Sequence, residues 1–238
     1  MKFLRDIELV LADKLLPLWF YFAGLIVVVT TPSRITDYTH EIQIIGTAWF
    51  RGGSIPLVQA YSNFGPLNLY LGSLYSRFIT NGFTTRLVEI AIFTLIAVLL
   101  NQWLRTLHTK HHVYRNMLLA TSLLIVTIPG VWQIGINPGK LGLLLLIALY
   151  CSFTMWQKSG PSYWFMGKTS KNWRYLLLSG VLLSGLVFTS LLITLFAIPI
   201  FVQFAKTYRK NWSGGIQKSL FLFVPVFVQG WLWYSYFA

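Results

Sequence analysis

The stretch YLLLSGVLLSGLVFTSLLITLFAIPIFVQFA, from Tyr175 to Ala205, is apolar almost throughout and carries no charged residue. It is too long for one ordinary membrane crossing of about 20 residues and short for two. Basic connectors bound it on both sides, Lys158 to Arg174 and Lys206 to Lys218. Because Lys and Arg in short loops concentrate on the cytoplasmic side, an even number of crossings must separate the two connectors. The stretch is therefore predicted to be two short helices with a turn near Phe188 to Ser190.

The whole chain has the composition of an integral membrane protein. Of its 238 residues, 55% are hydrophobic and only 11% are charged, about half the charged share of a soluble protein. A net charge of +13 is also typical of nucleic-acid binding, but the 19 Lys and Arg form short clusters between apolar runs instead of one basic face. The single cysteine, Cys151, lies inside an apolar run, which excludes an intramolecular disulfide and argues against a reactive thiolate.

We predict an all-α, polytopic transmembrane helical bundle of about seven crossings in a single domain, residues 1–238. The first crossing is expected to be an uncleaved anchor. Besides the pair in Tyr175 to Ala205, the predicted crossings are Leu15 to Thr31, Phe83 to Leu104, Met117 to Trp132, Leu141 to Trp156 and Ser219 to Phe237.

The apolar segment Phe64 to Thr80 is predicted to lie along the membrane instead of crossing it. A crossing there would move the basic connector Arg105 to Arg115 to the extracytoplasmic side, against the distribution of the other basic connectors. Residues 32–81 then form a first extracytoplasmic loop with juxtamembrane helices, whose short aromatic segments suit the interface.

This threading leaves 14 of the 19 cations on the cytoplasmic side. The five on the opposite side need a reason to be there, and an anionic lipid phosphate is one candidate. They are Arg34, Arg51, Arg77, Arg86 and Lys140.

The first extracytoplasmic loop opens with an acidic patch. Asp37 follows the first crossing by a few residues, and on a helix Asp37 and Glu41 share a face at i and i+4. Two carboxylates there can hold a cation, or one can serve as a general base. The alternative is that Asp37 caps the helix that follows it.

The first loop contains a series of short motifs: Asp37, Ala48, Arg51-Gly52-Gly53, Ile55-Pro56-Leu57, Tyr61 and Phe64-Gly65-Pro66-Leu67. A second series lies further along the chain: Ile128-Pro129-Gly130 and Gly135-Ile136-Asn137-Pro138. In this order the two series resemble the first and second extracytoplasmic loops of the GT-C superfamily of polytopic glycosyltransferases. The resemblance is nearest to the mannosyltransferases that use polyprenyl- or dolichyl-phosphate-mannose, and it covers roughly Leu15 to Asn211.

The resemblance implies transfer of a sugar, with mannose favoured, from a lipid-linked donor to an acceptor hydroxyl on the extracytoplasmic side, with inversion. Asp37 is the expected catalytic base, and Lys140 and Arg51, followed by Arg34, are the expected partners of the departing phosphate. His40 is a candidate to orient Asp37, and Glu41 is a candidate to hold the acceptor. Asn63 and Asn137 are candidates to bind a sugar hydroxyl, although capping of a helix is an equally simple role for them.

The chain also departs from the superfamily pattern. Thr39 stands where a second aspartate of an Asp-x-Asp pair is expected, so no cofactor is predicted and a divalent metal is not supported. The polar residue that many relatives carry before Pro199 is missing, and relatives usually continue beyond seven crossings.

Other charged groups have simpler interpretations. His108, His111 and His112 lie in a basic connector without a nearby carboxylate or thiolate, which favours surface histidines over a metal site. Glu89 lies one turn inside a predicted crossing, where acids are costly, and Arg86 three residues earlier can pair with it. We interpret this pair first as structural and second as a substrate contact.

Two rival functions stay open. A non-catalytic membrane subunit that stabilises a partner is the first, and a transporter, for which ionisable residues in mid-membrane are few, is the second. The expected partners are a lipid-linked sugar, membrane lipids and an acceptor glycan, lipid or protein. The expected location is the plasma membrane of a prokaryote or the endoplasmic reticulum.

Overall fold

A computed structural model describes residues 16–30, 67, 70–71, 82–107, 138–159, 162–164, 167–169, 173–209 and 212–237. These residues are almost entirely helical, as the sequence predicts. The helices are α1 (Leu16–Thr30), α2 (Gly82–Leu107), α3 (Pro138–Lys158), α4 (Trp173–Thr189), α5 (Leu191–Thr194), α6 (Ile198–Tyr208) and α7 (Trp212–Phe237), with a 3₁₀ turn, Leu195–Ala197, between α5 and α6.

Four helical segments in the described part of the chain are long and apolar enough to cross a membrane. They are Arg86–Thr106, Lys140–Lys158, Leu191–Tyr208 and Trp212–Trp233. α4 is an apolar helix of 17 residues and α1 one of 15, or about 25 and 22 Å at 1.5 Å per residue. The protein is therefore a helical membrane protein by length and composition of its helices.

The helix boundaries follow the predicted apolar runs and extend beyond them into the basic connectors. α2 continues through Arg105 and α3 continues through Lys158. A cation in the last turn of a helix interacts favourably with the exposed carbonyl groups there, so these residues prolong a helix instead of ending it. The predicted crossing Met117 to Trp132 lies outside the described residues.

The predicted division of Tyr175 to Ala205 into two helices is confirmed. α4 ends at Thr189, and Ser190 has an extended backbone, with φ −159° and ψ 114°. The Ser190 hydroxyl accepts a hydrogen bond from the backbone N–H of Ile193, which caps α5. The turn thus falls inside the predicted interval Phe188 to Ser190.

The second half of that stretch is a broken helix. Ile198 and Pro199 begin α6 after the 3₁₀ turn, and proline is well tolerated in the first turn of a helix. Next to the break, the hydroxyl of Tyr150 on α3 donates a 2.8 Å hydrogen bond to the carbonyl oxygen of Phe196. This contact satisfies a backbone acceptor inside an apolar environment, where leaving it unpaired is costly.

α2 and α3 pack in parallel: the start of one contacts the start of the other, and the end of one contacts the end of the other. Glu89 of α2 contacts Lys140 near the start of α3. Toward the other ends, the indole N–H of Trp103 donates to the Thr154 hydroxyl at 3.2 Å, and its ring packs against Tyr150. The predicted threading requires this parallel alignment, since it has a single crossing between the two helices.

α4 runs antiparallel to α3 and parallel to α7. Ser152 of α3 donates a 2.8 Å hydrogen bond to the carbonyl oxygen of Tyr175, near the start of α4. Leu145, earlier in α3, packs beside Gly185, later in α4. On the other side of α4, Ser184 contacts the carbonyl of Pro225 at 3.2 Å.

The α4–α7 crossing depends on one glycine. A Cβ atom at Gly180 would collide with the carbonyl oxygen of Phe221 and crowd Leu222. Pro225 in α7 has no N–H to offer that carbonyl within the helix. The missing side chain at Gly180 lets the two backbones approach closely, as small residues do between membrane helices.

Two apolar clusters form the interior. The first joins α2 to α3 and α1 around Phe93, on which the Tyr21 ring stacks at 5.9 Å. The second joins α3, α4, α6 and α7 around Trp156, Leu183 and Leu222. Large apolar side chains on the outside of the helices are exposed, among them Leu220, Phe227 and Trp231. Such a surface suits contact with lipid chains.

A two-stranded antiparallel hairpin, which the sequence analysis did not predict, lies in the connector between α3 and α4. β1 (Ser162–Trp164) pairs with β2 (Gly167–Thr169), with Trp164 opposite Gly167. The predicted all-α class holds for the bundle itself.

Leu67, Tyr70 and Leu71 are the described residues of the segment that is predicted to lie along the membrane, and all three are helical. Leu67 packs near Gly185 late in α4, and the Tyr70 ring meets Trp233 late in α7 at 6.4 Å. They therefore lie at the end of the bundle where α4 and α7 finish.

These directions separate two ends of the bundle. The outer end, predicted to be extracytoplasmic, is where α2, α3 and α5 begin and α4 and α7 finish; it holds Arg86, Glu89 and Lys140. The basic end is where α2, α3 and α6 finish and α4 and α7 begin. Its described cations are Arg105, Lys158, Lys168, Arg174, Lys206, Arg209 and Lys218. Within the described residues, seven cations thus lie at the basic end and two at the outer end.

Candidate functional site

The candidate site is the charged pair at the start of α2 and α3. Pro138 opens α3, and Lys140 follows in its first turn. Glu89 lies in the second turn of α2, which begins at Gly82. Because the two helices run in parallel, their first turns lie side by side and bring a residue from each to the same depth.

Lys140 and Glu89 form a buried ion pair. The Lys140 ammonium donates to Glu89 Oε2 at 2.5 Å. The two residues are 1% and 2% exposed, respectively. Removing two charges from water costs several kcal/mol per ion, and close contact between them offsets this cost only while both partners are present. Each residue therefore depends on the other to offset the cost of its burial.

The surroundings of the pair are electropositive. Arg86, one turn before Glu89 on α2, is near enough to Lys140 for their charges to interact. The first turns of α2 and α3 also direct backbone N–H groups to this end. Glu89 is the one acidic residue within the described ranges, so the two described cations outnumber the described carboxylates here.

A polar contact below the pair links α1 to α2. Thr94 donates to the carbonyl of Ile90 at 2.7 Å, so the 2.8 Å hydrogen bond between Tyr21 and Thr94 has the tyrosine as its donor. Because Thr94 is five residues beyond Glu89, this contact fixes α1 beside the same half of α2. α2, the helix that carries Glu89, is thus held by α1 through this contact and by α3 through the ion pair.

Lys140 is the one predicted site residue within the described ranges. The structure puts it at the outer end, on the predicted side of the bundle, but buried and paired with Glu89. The predicted site residues outside the described residues are Arg34, Asp37, His40, Glu41, Arg51, Asn63 and Asn137.

Glu89 and Lys140 were each predicted to be important, but their contact was not. Glu89 was predicted to pair with Arg86 on the same helix, and the structure adds an ion pair that joins Glu89 to Lys140 on α3. A signal was present, because both residues fall within two turns of the predicted outer ends of their crossings. The sequence does not show which helices are neighbours. Because 51 residues separate Glu89 from Lys140, no local pattern indicates their contact.

Metal ligands and nucleophiles are scarce in the described part of the bundle. No group of three His, Cys, Asp or Glu lies together there. Cys151 is buried within α3, as predicted. The acidic patch at Asp37 and Glu41 and the cluster of His108, His111 and His112 lie outside the described residues.

Comparison with known proteins gives no match. No protein-family model matches the chain, and neither does any curated protein or solved structure.

Proposed function

We propose that the protein is a membrane glycosyltransferase that transfers a sugar, mannose in the favoured case, from a polyprenyl-phosphate carrier to an acceptor hydroxyl at the extracytoplasmic surface. The observation that carries the proposal is the presence of Lys140, Glu89 and Arg86 at the bundle end opposite the basic connectors. This is the end toward which the motifs from Asp37 to Leu67 are predicted to fold.

The geometry suits a lipid carrier. The carrier's chain stays in the bilayer, so its phosphate and sugar are presented at the depth of the outer helix ends. Leu67, the last residue of the motif series, packs at that same end against Gly185, and Tyr70 packs there against Trp233.

In the proposed reaction, Asp37 removes the proton from the acceptor hydroxyl as its oxygen attacks the anomeric carbon. The bond between that carbon and the phosphate oxygen breaks, and the phosphate leaves with the bonding electron pair. Attack from the face opposite the phosphate inverts the anomeric centre.

The departing phosphate gains negative charge, and cations already in position stabilise it. Lys140, Arg51 and then Arg34 are assigned to this role. Lys140 is 1% exposed and paired with Glu89, so this role requires the outer ends of α2 and α3 to separate when the carrier binds. Glu41 and His40 are assigned to the acceptor and to the orientation of Asp37, and Asn63 and Asn137 to sugar hydroxyls.

The test is transfer of labelled mannose from polyprenyl-phosphate mannose by membranes that contain the protein. Asp37→Asn should lower the rate by about 10²- to 10⁴-fold, the usual contribution of a general base. Asp13→Asn removes a carboxylate on the predicted cytoplasmic side and should leave the rate unchanged. Undiminished transfer by Asp37→Asn would exclude Asp37 as the base.

A non-catalytic membrane subunit is the second candidate function. The observation that favours it is the burial of Lys140, whose charge Glu89 already compensates. Membranes of the wild-type protein that transfer no sugar, combined with a partner protein that loses stability when this chain is deleted, would favour the subunit over the enzyme.

A further inference from the structure

The basic end carries a second candidate binding surface, which is independent of the proposed glycosyl transfer. The three connectors at this end, Arg105 to Arg115, Lys158 to Arg174 and Lys206 to Lys218, contain eleven Lys and Arg and no Asp or Glu. The remaining predicted cytoplasmic segment, at the N-terminus, has as many acidic as basic residues. The basic end as a whole is therefore strongly positive.

The last turn of α3 meets the middle of α6 there in a polar seam. The Gln157 side-chain amide donates to the Gln203 side-chain carbonyl at 3.3 Å across the two helices. Lys158 ends α3, and Lys206 follows Gln203 by three residues on α6, which puts it on the same helix face. Both lysines are exposed.

Aromatic rings pack α3 against α6 next to this seam. Trp156 is fully buried and stacks on Phe204 at 5.7 Å and on Tyr208 at 6.2 Å. These ring contacts hold the end of α3 beside α6, so the two lysines and the two amides are carried by one packed pair of helices.

We propose that the seam formed by Gln157, Lys158, Gln203 and Lys206 binds the headgroup of an anionic glycerophospholipid of the cytoplasmic leaflet. The two ammonium groups neutralise the phosphodiester, and the amides bond to the headgroup hydroxyls. The acyl chains lie along the exposed apolar face of α6. Basic sites between membrane helices on the cytoplasmic side are typical places for anionic lipids, and charge complementarity selects such a lipid over a zwitterionic one.

The experiment measures lipid retained by the purified full-length chain in phosphatidylcholine nanodiscs with phosphatidylglycerol as a minor component. Native mass spectrometry should detect phosphatidylglycerol bound well above its share of the disc. Lys158→Gln with Lys206→Gln should weaken this binding about 25-fold, because each lysine near the membrane surface contributes a factor of about five. The variant with both lysines changed to arginine should bind as the wild type does.

The matched control removes the same charge at the same end but away from the seam. Arg105→Gln with Arg174→Gln, two exposed residues on α2 and α4, should weaken binding only a few-fold. Both double variants should keep the wild-type melting temperature in pure phosphatidylcholine, because exposed side chains contribute little to stability. Wild-type discs without enrichment of phosphatidylglycerol, or equal losses in the two double variants, would overturn the proposal.

Two further outcomes would reassign the seam. If inorganic phosphate alone displaced the bound phosphatidylglycerol, the site would be one for a free anion. If an acidic protein bound stoichiometrically and required Lys158 and Lys206 while phosphatidylglycerol binding did not, the partner would be a protein. Neither result depends on whether the chain transfers sugar.

Discussion

The two ends of the bundle use lysine in opposite ways. At the outer end Lys140 is buried and paired with Glu89 at 2.5 Å. At the basic end Lys158 and Lys206 are exposed, in connectors that contain no acidic residue. The energetics of a cation in this protein therefore depend on its position along the bundle. A buried cation requires its own counterion, whereas an exposed one can use lipid headgroups and water.

Labelling gives an all-or-none test of the comparison. In a Cys151→Ala background, a cysteine at Lys158 should react with a membrane-impermeant maleimide only from the cytoplasmic side. A cysteine at Leu191, which is 74% exposed at the turn between α4 and α5, should react only from the opposite side. Reaction of both from one side would remove the distinction between the ends.

The largest change in stability is expected at the outer pair. Glu89→Gln or Lys140→Met alone leaves an uncompensated buried charge and should lower the free energy of unfolding in detergent by about 3–5 kcal/mol. Glu89→Leu combined with Lys140→Met should be close to neutral, because no charge then remains buried. Lys158→Met at the basic end, the matched control, should change the value by about 0.5 kcal/mol or less.

If Glu89→Leu with Lys140→Met lowered the free energy of unfolding by as much as the two single variants together, Glu89 and Lys140 would not be energetically coupled. The contrast between the ends would then depend on exposure alone.

A further variant at the same two positions separates an effect on stability from an effect on sugar transfer. Exchanging the residues, Glu89→Lys with Lys140→Glu, should restore much of the stability but no transfer, since the ammonium would then project from α2 instead of α3.

A smaller loss of stability is expected for a substitution at Gly180, where α4 and α7 approach each other closely. Gly180→Ala should cost about 1–3 kcal/mol, the usual price of overpacking, because its Cβ would collide with the Phe221 carbonyl oxygen. Gly230→Ala is the control, since its Cβ would meet only the Phe188 ring at 3.4 Å. Equal unfolding midpoints for the two variants would contradict the close crossing.

The fold was more predictable than the site. Apolar length and the basic connectors predicted α2, α3 and the break at Ser190, because each of these follows from local composition and from crossing parity. The hairpin from Ser162 to Thr169 was not predicted, since a short segment between charged residues has no strong alternation of polar and apolar side chains. Lys140 was identified as important, but its partner was not.

The residue pattern alone was sufficient to predict a helical membrane protein and the positions of its described helices, and a shared membrane side for the basic connectors stays a prediction. Hydrophobic length and charge act along the chain, so they can be read from neighbouring residues. The packing of the helices was needed to find that Glu89 contacts Lys140, that Gly180 admits the Phe221 carbonyl and that Gln157 meets Gln203. These contacts depend on which helices pack together and at what rotation, and many arrangements of apolar helices satisfy the same hydrophobic pattern.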